Sequence, residues 1–371
     1  MINIIDFGAV EGSDISIPLQ LAINNASKRK KTLQKQDKWL LVEDYVFIPS
    51  GRYILSKPIQ LANGIVIRGE NQSSVLIECN VEDGEFCFNT NNITEPYSIK
   101  VSNIHFISLN LFQGSLFNIS MANRSCILSE LFIESFDTAI KMTNTFTSVM
   151  KDSTIFNCIN GLIGENITNG KFYNNKIENC RNYGFAFMDS TSNTSTGLSL
   201  IGNIFQGNAK SGVYLKNLDQ VMFSACFFEG NNRKSFRIDG SSIDYAHIDI
   251  TTDEHNHFNK RNGNLLFTST FITQGSYSPP NTVGVSVQDS INVIFNGGTI
   301  RGFSKEAVAF YIGLNNLNIQ INGMTMEGIQ IDKVITGPGS DIAKIENVVC
   351  GFKNMNDPAN STYCIYTRKT K

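Results

Sequence analysis

Residues 176–188 read KIENCRNYGFAFM. Ile177 stands between two polar residues, an Asn-Cys pair and further polar residues make a turn, and a Gly leads into an alternating apolar run. This is two short stretches of period-2 alternation broken by turn formers, with no helical period of 3.6. The form recurs as LFIESFDTAIKM from Leu131, TIFNCINGLIGE from Thr154, IFQGNAKSGVYLK from Ile204, FFEGNNRKSFRID from Phe227, TIRGFSKEAVAFY from Thr299 and TMEGIQIDKVI from Thr325. Aligned on the residue before the turn, the copies give Glu134, Phe156, Glu178, Gln206, Glu229, Gln274, Arg301 and Glu327. The first steps are 22, 22, 28 and 23 residues. Residues 190–196, a polar tract, account for the longer one as a loop inserted into a unit of about 22 residues. The next step, 45 residues, is either two turns or one turn with a long insertion.

One such unit cannot bury its own apolar face, whereas stacked units share a continuous core. The fold class expected is therefore all-β: a single-stranded parallel β-helix, a solenoid in which each coil adds a rung about 4.8 Å above the last. It also gives the composition a cause. Of 371 residues 43 are Asn, a residue that tolerates the left-handed conformation at coil corners and hydrogen-bonds to its copy on the next rung. One inward column reads Ala139, Leu162, Phe185, Val213, Phe236 and Val308, and a second, two residues on, reads Lys141, Gly164, Phe187, Leu215, Ile238 and Phe310. Lys141 breaks the apolar pattern. Cys158 and Cys180 align one rung apart, close enough for a disulfide, although free packed thiols are the default for eight Cys without a CxxC.

Charge excludes more than it assigns. Lys plus Arg number 31 and Asp plus Glu 33, for a net charge of −2, so no global field favours nucleic acid. The start, MINIIDFGAVEG, has no basic n-region, and no 18-residue apolar run follows, so neither a secretory signal nor membrane insertion is expected. Residues 17–36 place Leu19, Ile23, Ala26 and Leu33 on one stripe beside the basic run KRKK at 28–31, as a helix capping an open β-helix end would. The domains expected are 1–45 (N-terminal strand and capping helix), 46–350 (β-helix) and 351–371 (C-terminal tail).

Three stretches, IDFGAV at 5–10, GSDISIPLQLAI at 12–23 and VFIPSGRYILSKPIQLANGIVIRGENQSSVLI at 46–77, resemble the N-terminal module of the pectate-lyase-like right-handed β-helix superfamily, which includes phage tailspike depolymerases. Asp6, Phe7, Gly8, Ala9, Pro49, Gly51, Tyr53, Gly64, Ile67 and Gly69 occupy matching places, while the acidic loop of the pattern is reduced to VEGSDISI with Gly12 and Asp14. The resemblance implies a right-handed coil and a polysaccharide partner (capsule, exopolysaccharide or lipopolysaccharide O-chain). It further implies a homotrimer, and a place on a virion or outside the cell, or in the cytoplasm if the chain is not phage-derived. It leaves open hydrolase, lyase and noncatalytic fibre. The polygalacturonase set NTD, DD and GHG and the RxPxxR motif of calcium-dependent pectate lyases do not occur, and no cofactor is implied.

Candidate chemistry gathers where charge gathers. Glu178 and Glu229 share an outward column with Gln206 between them, two rungs or about 9.5 Å apart, which suits inverting glycoside hydrolysis. Glu229 is the expected general acid, and the base is Glu178 or an acid from residues 239–249, with Asp239 and Asp249 the candidates. Arg181, Lys210 and Arg233 form a basic stripe three or four residues on, which either neutralises the adjacent Glu ladder or binds a uronate- or sialate-bearing polymer. Arg237, Gln206 and Tyr214 complete the expected sugar contacts, with Tyr183 and Tyr245 as further stacking surfaces. His247, His255, His257, Lys260 and Arg261, with Asp244, Asp253 and Glu254, crowd the stretch that spoils the repeat. The spacing of two between His255 and His257 does not make a metal site.

Overall fold

The computed structural model describes residues 1–36, 44–90, 98–120, 126–189, 195–231, 248–251, 262–274, 283–302, 307–313, 316–329, 334–338, 343–352 and 362–368. The chain forms two compact units, Met1–Lys176 and Ile177–Lys371. Each is built from short strands that pair in parallel with the equivalent strand one coil later. In the first unit Val75–Cys79 lies between Gly51–Leu55 and the second half of Ile99–Ser108. In the second, Asp219–Ser224 lies between Thr196–Ile201 and Asn262–Thr273. The architecture is a right-handed parallel β-helix with one capping helix near the N-terminus, the hand expected of parallel crossovers. Among the described residues no helix is long and apolar enough to cross a membrane.

What turns a run of strands into coils is a column of residues with positive φ. Asn103, Glu130, Asp152 and Asn174 occupy it in the first unit, and Gly202, Ala225, Ser269, Gly297, Gly323 and Asn347 in the second. Each bends the chain by about one strand direction without losing the rung. Among the described residues twelve of the 21 non-glycine residues with positive φ are Asn, so part of the abundance of that residue is a backbone requirement.

Asn has a second task at the buried corners. Asn208 Oδ1 accepts from the Cys180 amide at 3.0 Å, and Nδ2 donates to the Ile177 carbonyl at 3.2 Å and to Asn231 Oδ1 at 2.8 Å. Asn231 repeats the pattern one rung on, donating to the Phe205 carbonyl at 2.9 Å. Both side chains are fully buried, so these bonds replace water for backbone groups the turn would leave orphaned. Aromatic residues stack likewise inside, Phe223 on Phe267 at 4.6 Å and Phe267 on Phe295 at 4.4 Å between ring centroids.

The N-terminal segment closes the three open edges of the first coil. Ile2–Asn3 pairs with Asp44–Ile48. The Ile15 amide donates to the Ile54 carbonyl at 2.8 Å, and the Ile54 amide to the Ser13 carbonyl at 3.0 Å. The third edge meets a side chain: the Gln60 amide donates to Gln20 Oε1 at 2.8 Å, and Gln20 Nε2 to the Gln60 carbonyl at 3.1 Å. Gln20 belongs to the helix Ser16–Gln36, whose Leu19, Ala22, Ile23 and Ala26 are fully buried. Leu33 lies outside the residues whose side chains are described. Burial disfavours ionisation of Asp14, but hydrogen bonds from Ser16 and Ser56 outweigh it and hold its carboxyl below the ordinary value. At the other end Thr362–Arg368, expected only as tail, forms a strand antiparallel to Ala343–Phe352, which pairs a last-rung edge.

The structure corrects four expectations of register. Leu162 pairs with Ile140 and Gly164 with Met142, so the inward residues are Ile140 and Met142 rather than Ala139 and Lys141. Lys141 is exposed, and its apparent violation was a slip of one residue. Phe227–Glu229 pairs directly with Phe271–Thr273: the long step is one turn with an insertion, and Thr273, not Gln274, stands in the outward column. Val213 and Leu215 are followed by Ile248 and Ile250 rather than Phe236 and Ile238. Val285 and Val287 come next, and then Phe310 and Ile312, a shift of two from the expected Val308 and Phe310. Cys158 and Cys180 are free buried thiols, and burial pushes Cys158 up to about 12.

Replacing Asn208 with Leu strands the Cys180 N–H and the Ile177 carbonyl away from water. It is expected to destabilise the fold by about 3 kcal/mol, measured as the shift in urea unfolding. An unchanged midpoint would show that the ladder is not needed.

Candidate functional site

The second unit presents one outward sheet face made of very short strands. In Ile204–Gln206 and Phe227–Glu229 the middle residue, Phe205 or Phe228, is fully buried, so the residues on either side point outward. The later column-end residues follow in register: Gln206, Glu229, Thr273, Arg301 and Glu327. Glu178 precedes them. The Asn179 amide donates to the Gln206 carbonyl at 2.9 Å just as the Gly207 amide does to the Glu229 carbonyl at 2.8 Å. Glu178, Gln206 and Glu229 therefore stand on successive rungs, all half-buried, with the Cα atoms of the two glutamates about 9.5 Å apart. Gln206 Nε2 donates to Glu229 Oε2 at 3.1 Å. Further along, Arg301 Nε lies 3.6 Å from Glu327 Oε2.

Beside the column lie outward apolar groups absent from the expected site. Phe227 and Phe271 stack at 5.1 Å with planes 5° apart, next to Glu229 and Thr273 respectively. Phe227 was legible by parity, two residues before Glu229. That Phe271 lies on it required knowing that the 45-residue step is a single turn.

Past the corner formed by Asn179 and Gly207, both with positive φ, comes a cationic and aromatic group. Arg181 is exposed. The Lys210 amide donates to the Asn182 carbonyl at 2.8 Å, and its ammonium lies 5.0 Å from the centre of the Tyr183 ring. Tyr183 meets Tyr214 at 5.1 Å. Tyr214 is in register with Ala186 and Asp249; Asp249 thus takes the rung place beside Tyr214 that the sequence assigned to Arg237, on a different sheet from Glu229. Its side chain is outside what is described. Arg233, Arg237, Asp239, Asp244, Tyr245, His247, Asp253, Glu254, His255, His257, Lys260 and Arg261 also lie outside the described residues. Among those that are described, no three His, Cys, Asp or Glu side chains cluster to hold a metal ion.

The first unit carries a polar pair that the repeat did not single out. His105 Nε2 lies 3.7 Å from Glu134 Oε2, and the ring meets the Phe132 ring edge-on at 4.7 Å. Burial lowers the His105 pKa below the ordinary value, with the nearby Glu134 carboxylate offsetting part of the effect.

Residues 1–233 match the family model described as rhamnogalacturonase A/epimerase, pectate lyase-like. The chain belongs to that family. No curated protein matches it. Among solved structures, the A-module of mannuronan C-5 epimerase AlgE6 from Azotobacter vinelandii is similar at 15% identity, covering 94% of this chain and 93% of that one with a TM-score of 0.65. PfbA, a surface adhesin of Streptococcus pneumoniae, is similar at 14% identity over 99% and 98% of the two chains, with a TM-score of 0.65. ORF18 of Geobacillus virus E2 is similar at 15% identity over 95% of this chain and 60% of its own, with a TM-score of 0.53. At these identities the likeness is one of fold.

The shared N-terminal motif is itself structural. Tyr53 donates its hydroxyl to the Pro49 carbonyl at 3.1 Å. A Cβ at Gly69 would fall 2.1 Å from the Asn103 carbonyl oxygen, so the glycine lets one rung approach the next.

The His105 environment gives a pH test. Below about pH 6.5 the unfolded chain takes up a proton that the half-buried ring resists. Stability should therefore fall as pH falls through that value, until folded His105 protonates too. His105→Leu is expected to flatten this slope in urea midpoints taken from about pH 7.5 to about pH 5; an unchanged slope would assign the acid sensitivity elsewhere.

Proposed function

We propose that this family member is a carbohydrate-active β-helix protein that binds a bacterial surface polysaccharide along the outward face of the second unit and hydrolyses it, in the manner of a tailspike depolymerase. The observation that carries the proposal is the column Glu178–Gln206–Glu229. Two carboxylates two rungs apart leave room for a water opposite the leaving group, the arrangement of inverting glycoside hydrolysis. Glu229, oriented by Gln206, protonates the glycosidic oxygen. Glu178 activates the water on the opposite face of the sugar. The stacked Phe227 and Phe271 supply apolar contact beside the carboxylates, while Arg181, Lys210, Tyr183 and Tyr214 extend the surface past the corner with cations and rings that suit an acidic sugar. Action on such a polymer places the protein outside the producing cell or on a virion, and a homotrimer is the proposed assembly, checked by its mass in light scattering.

A panel of purified capsules, exopolysaccharides and lipopolysaccharide O-chains, assayed for new reducing ends, tests the activity. Glu229→Gln is expected to keep the unfolding midpoint and polymer binding while reducing-end release drops at least about 100-fold. Full activity in that variant would remove Glu229 from the chemistry. Products carrying an unsaturated, ultraviolet-absorbing uronate would replace hydrolysis with β-elimination on the same face, and binding without chain shortening would make the protein an adhesin-like fibre.

A further inference from the structure

Six of the eight cysteines in the chain, Cys79, Cys87, Cys126, Cys158, Cys180 and Cys226, are free buried thiols. Burial pushes Cys126 and Cys158 up to about 12 and Cys226 up to about 11, so these three offer little thiolate for exchange at neutral pH. The other two are Cys350 and Cys364, and strand pairing brings them together. Ala343–Phe352 pairs in parallel with Thr325–Glu327, where Cys350 follows Met326 in register. On its other edge the same strand pairs antiparallel with Thr362–Arg368, and there Cys350 stands directly opposite Cys364.

That register is held by five consecutive pairs, from Val348 with Tyr366 to Phe352 with Thr362. Residues directly opposite in an antiparallel pair share one face of the sheet, with Cα atoms about 4.5 or 5.5 Å apart according to the hydrogen-bond pattern. A disulfide spans Cα separations of about 4.4–6.8 Å, so either case lies within its reach and the backbone need not move. The place also has a use for a cross-link. A strand at the end of a chain stays ordered only when tied down, and this one has seven residues with which to cover the edge of Ala343–Phe352.

We propose that Cys350 and Cys364 form a disulfide that fastens the closing strand to the rung beneath it. A small-molecule disulfide, oxidised glutathione, is the oxidant. The thiolate of one cysteine attacks it, forming a mixed disulfide and releasing one glutathione thiolate; the second cysteine thiolate then displaces the other glutathione. Two protein S–H bonds and one glutathione S–S bond become one protein S–S bond and two glutathione thiols, and the protein gives up two electrons and two protons. In the oxidised form the edge stays covered. Reduction lets the strand open, which exposes that edge to pairing with other chains. Oxidising surroundings outside a cell favour the bonded form, and the inference does not depend on what the outward face binds.

The test is peptide mapping of the full wild-type chain, alkylated without reductant after incubation with oxidised glutathione. A peptide joining Cys350 to Cys364 is expected, together with six free thiols in denaturant, rising to the full eight after reduction. Amide hydrogen exchange in residues 362–368 is expected to be at least about tenfold slower in the oxidised than in the reduced protein. Cys364→Ser should lose the joined peptide and exchange at one rate with or without oxidant. Eight free thiols after oxidation, or a cross-link joining another pair such as Cys79 and Cys87, would overturn the proposal. So would a Cys350–Cys364 bond that leaves exchange in 362–368 unchanged, because the bond would then fasten nothing. The mapping is made on wild type, so the outcome stands even where the serine variant fails to fold.

Discussion

Everything in this protein depends on one coil stacking on the next in register. A rung of three-residue strands such as Ile204–Gln206 buries one side chain per strand, too little to hold alone, and gains its stability only when Phe205 lies on Phe228 at 4.9 Å and the backbone above pairs with that below. That constraint explains the corners. A chain that must return to the same register every coil needs a fixed bend at a fixed place, and a column of positive-φ residues provides it. It also explains the ends, because an unpaired rung would template association with other chains. Residues 2–20 cover all three edges at the start, one of them with the Gln20 side-chain amide standing in for a strand.

The same constraint makes the outward face a possible site. Side chains two residues apart on a strand, repeated every coil, form columns whose spacing is set by the rung and not by side-chain flexibility. Glu178, Gln206 and Glu229 owe their relation to this, as do Phe227 and Phe271. Carboxylates held by a rigid ladder have a separation that substrate binding need not create. Among the described residues the column is a ladder of short strands rather than a cavity, a surface suited to an extended ligand.

Much of the fold was legible because the repeat exposes its own period. Leu131, Thr154, Lys176, Ile204 and Phe227 open units of matching form, and the Asn excess pointed to corners that the positive-φ columns supply. The failures have particular causes. Ala139 and Lys141 were misplaced because the interval from the outward column to the next inward one varies, six residues after Glu134 and Phe156 and seven after Glu178 and Gln206; Ala139, five after Glu134, falls one residue short, and a one-residue slip inverts the face. Phe236 and Ile238 looked as apolar as Ile248 and Ile250, and local pattern cannot tell a true rung from an insertion that imitates it. His105 and Glu134 lie in different coils, and nothing in either local sequence announces the other.

The sequence alone determined the class of fold, the family, the column that holds Glu178, Gln206 and Glu229, and the apolar stripe of the capping helix, since each follows from local periodicity or from residues matched in order. Tertiary structure alone decided which strand follows Glu229, that Phe271 therefore covers Phe227, and that Lys210 sits over Tyr183. These are relations between coils. An insertion of unknown length between rungs erases them from the sequence, and backbone pairing restores them because only one register lets every strand share both its hydrogen bonds and its core.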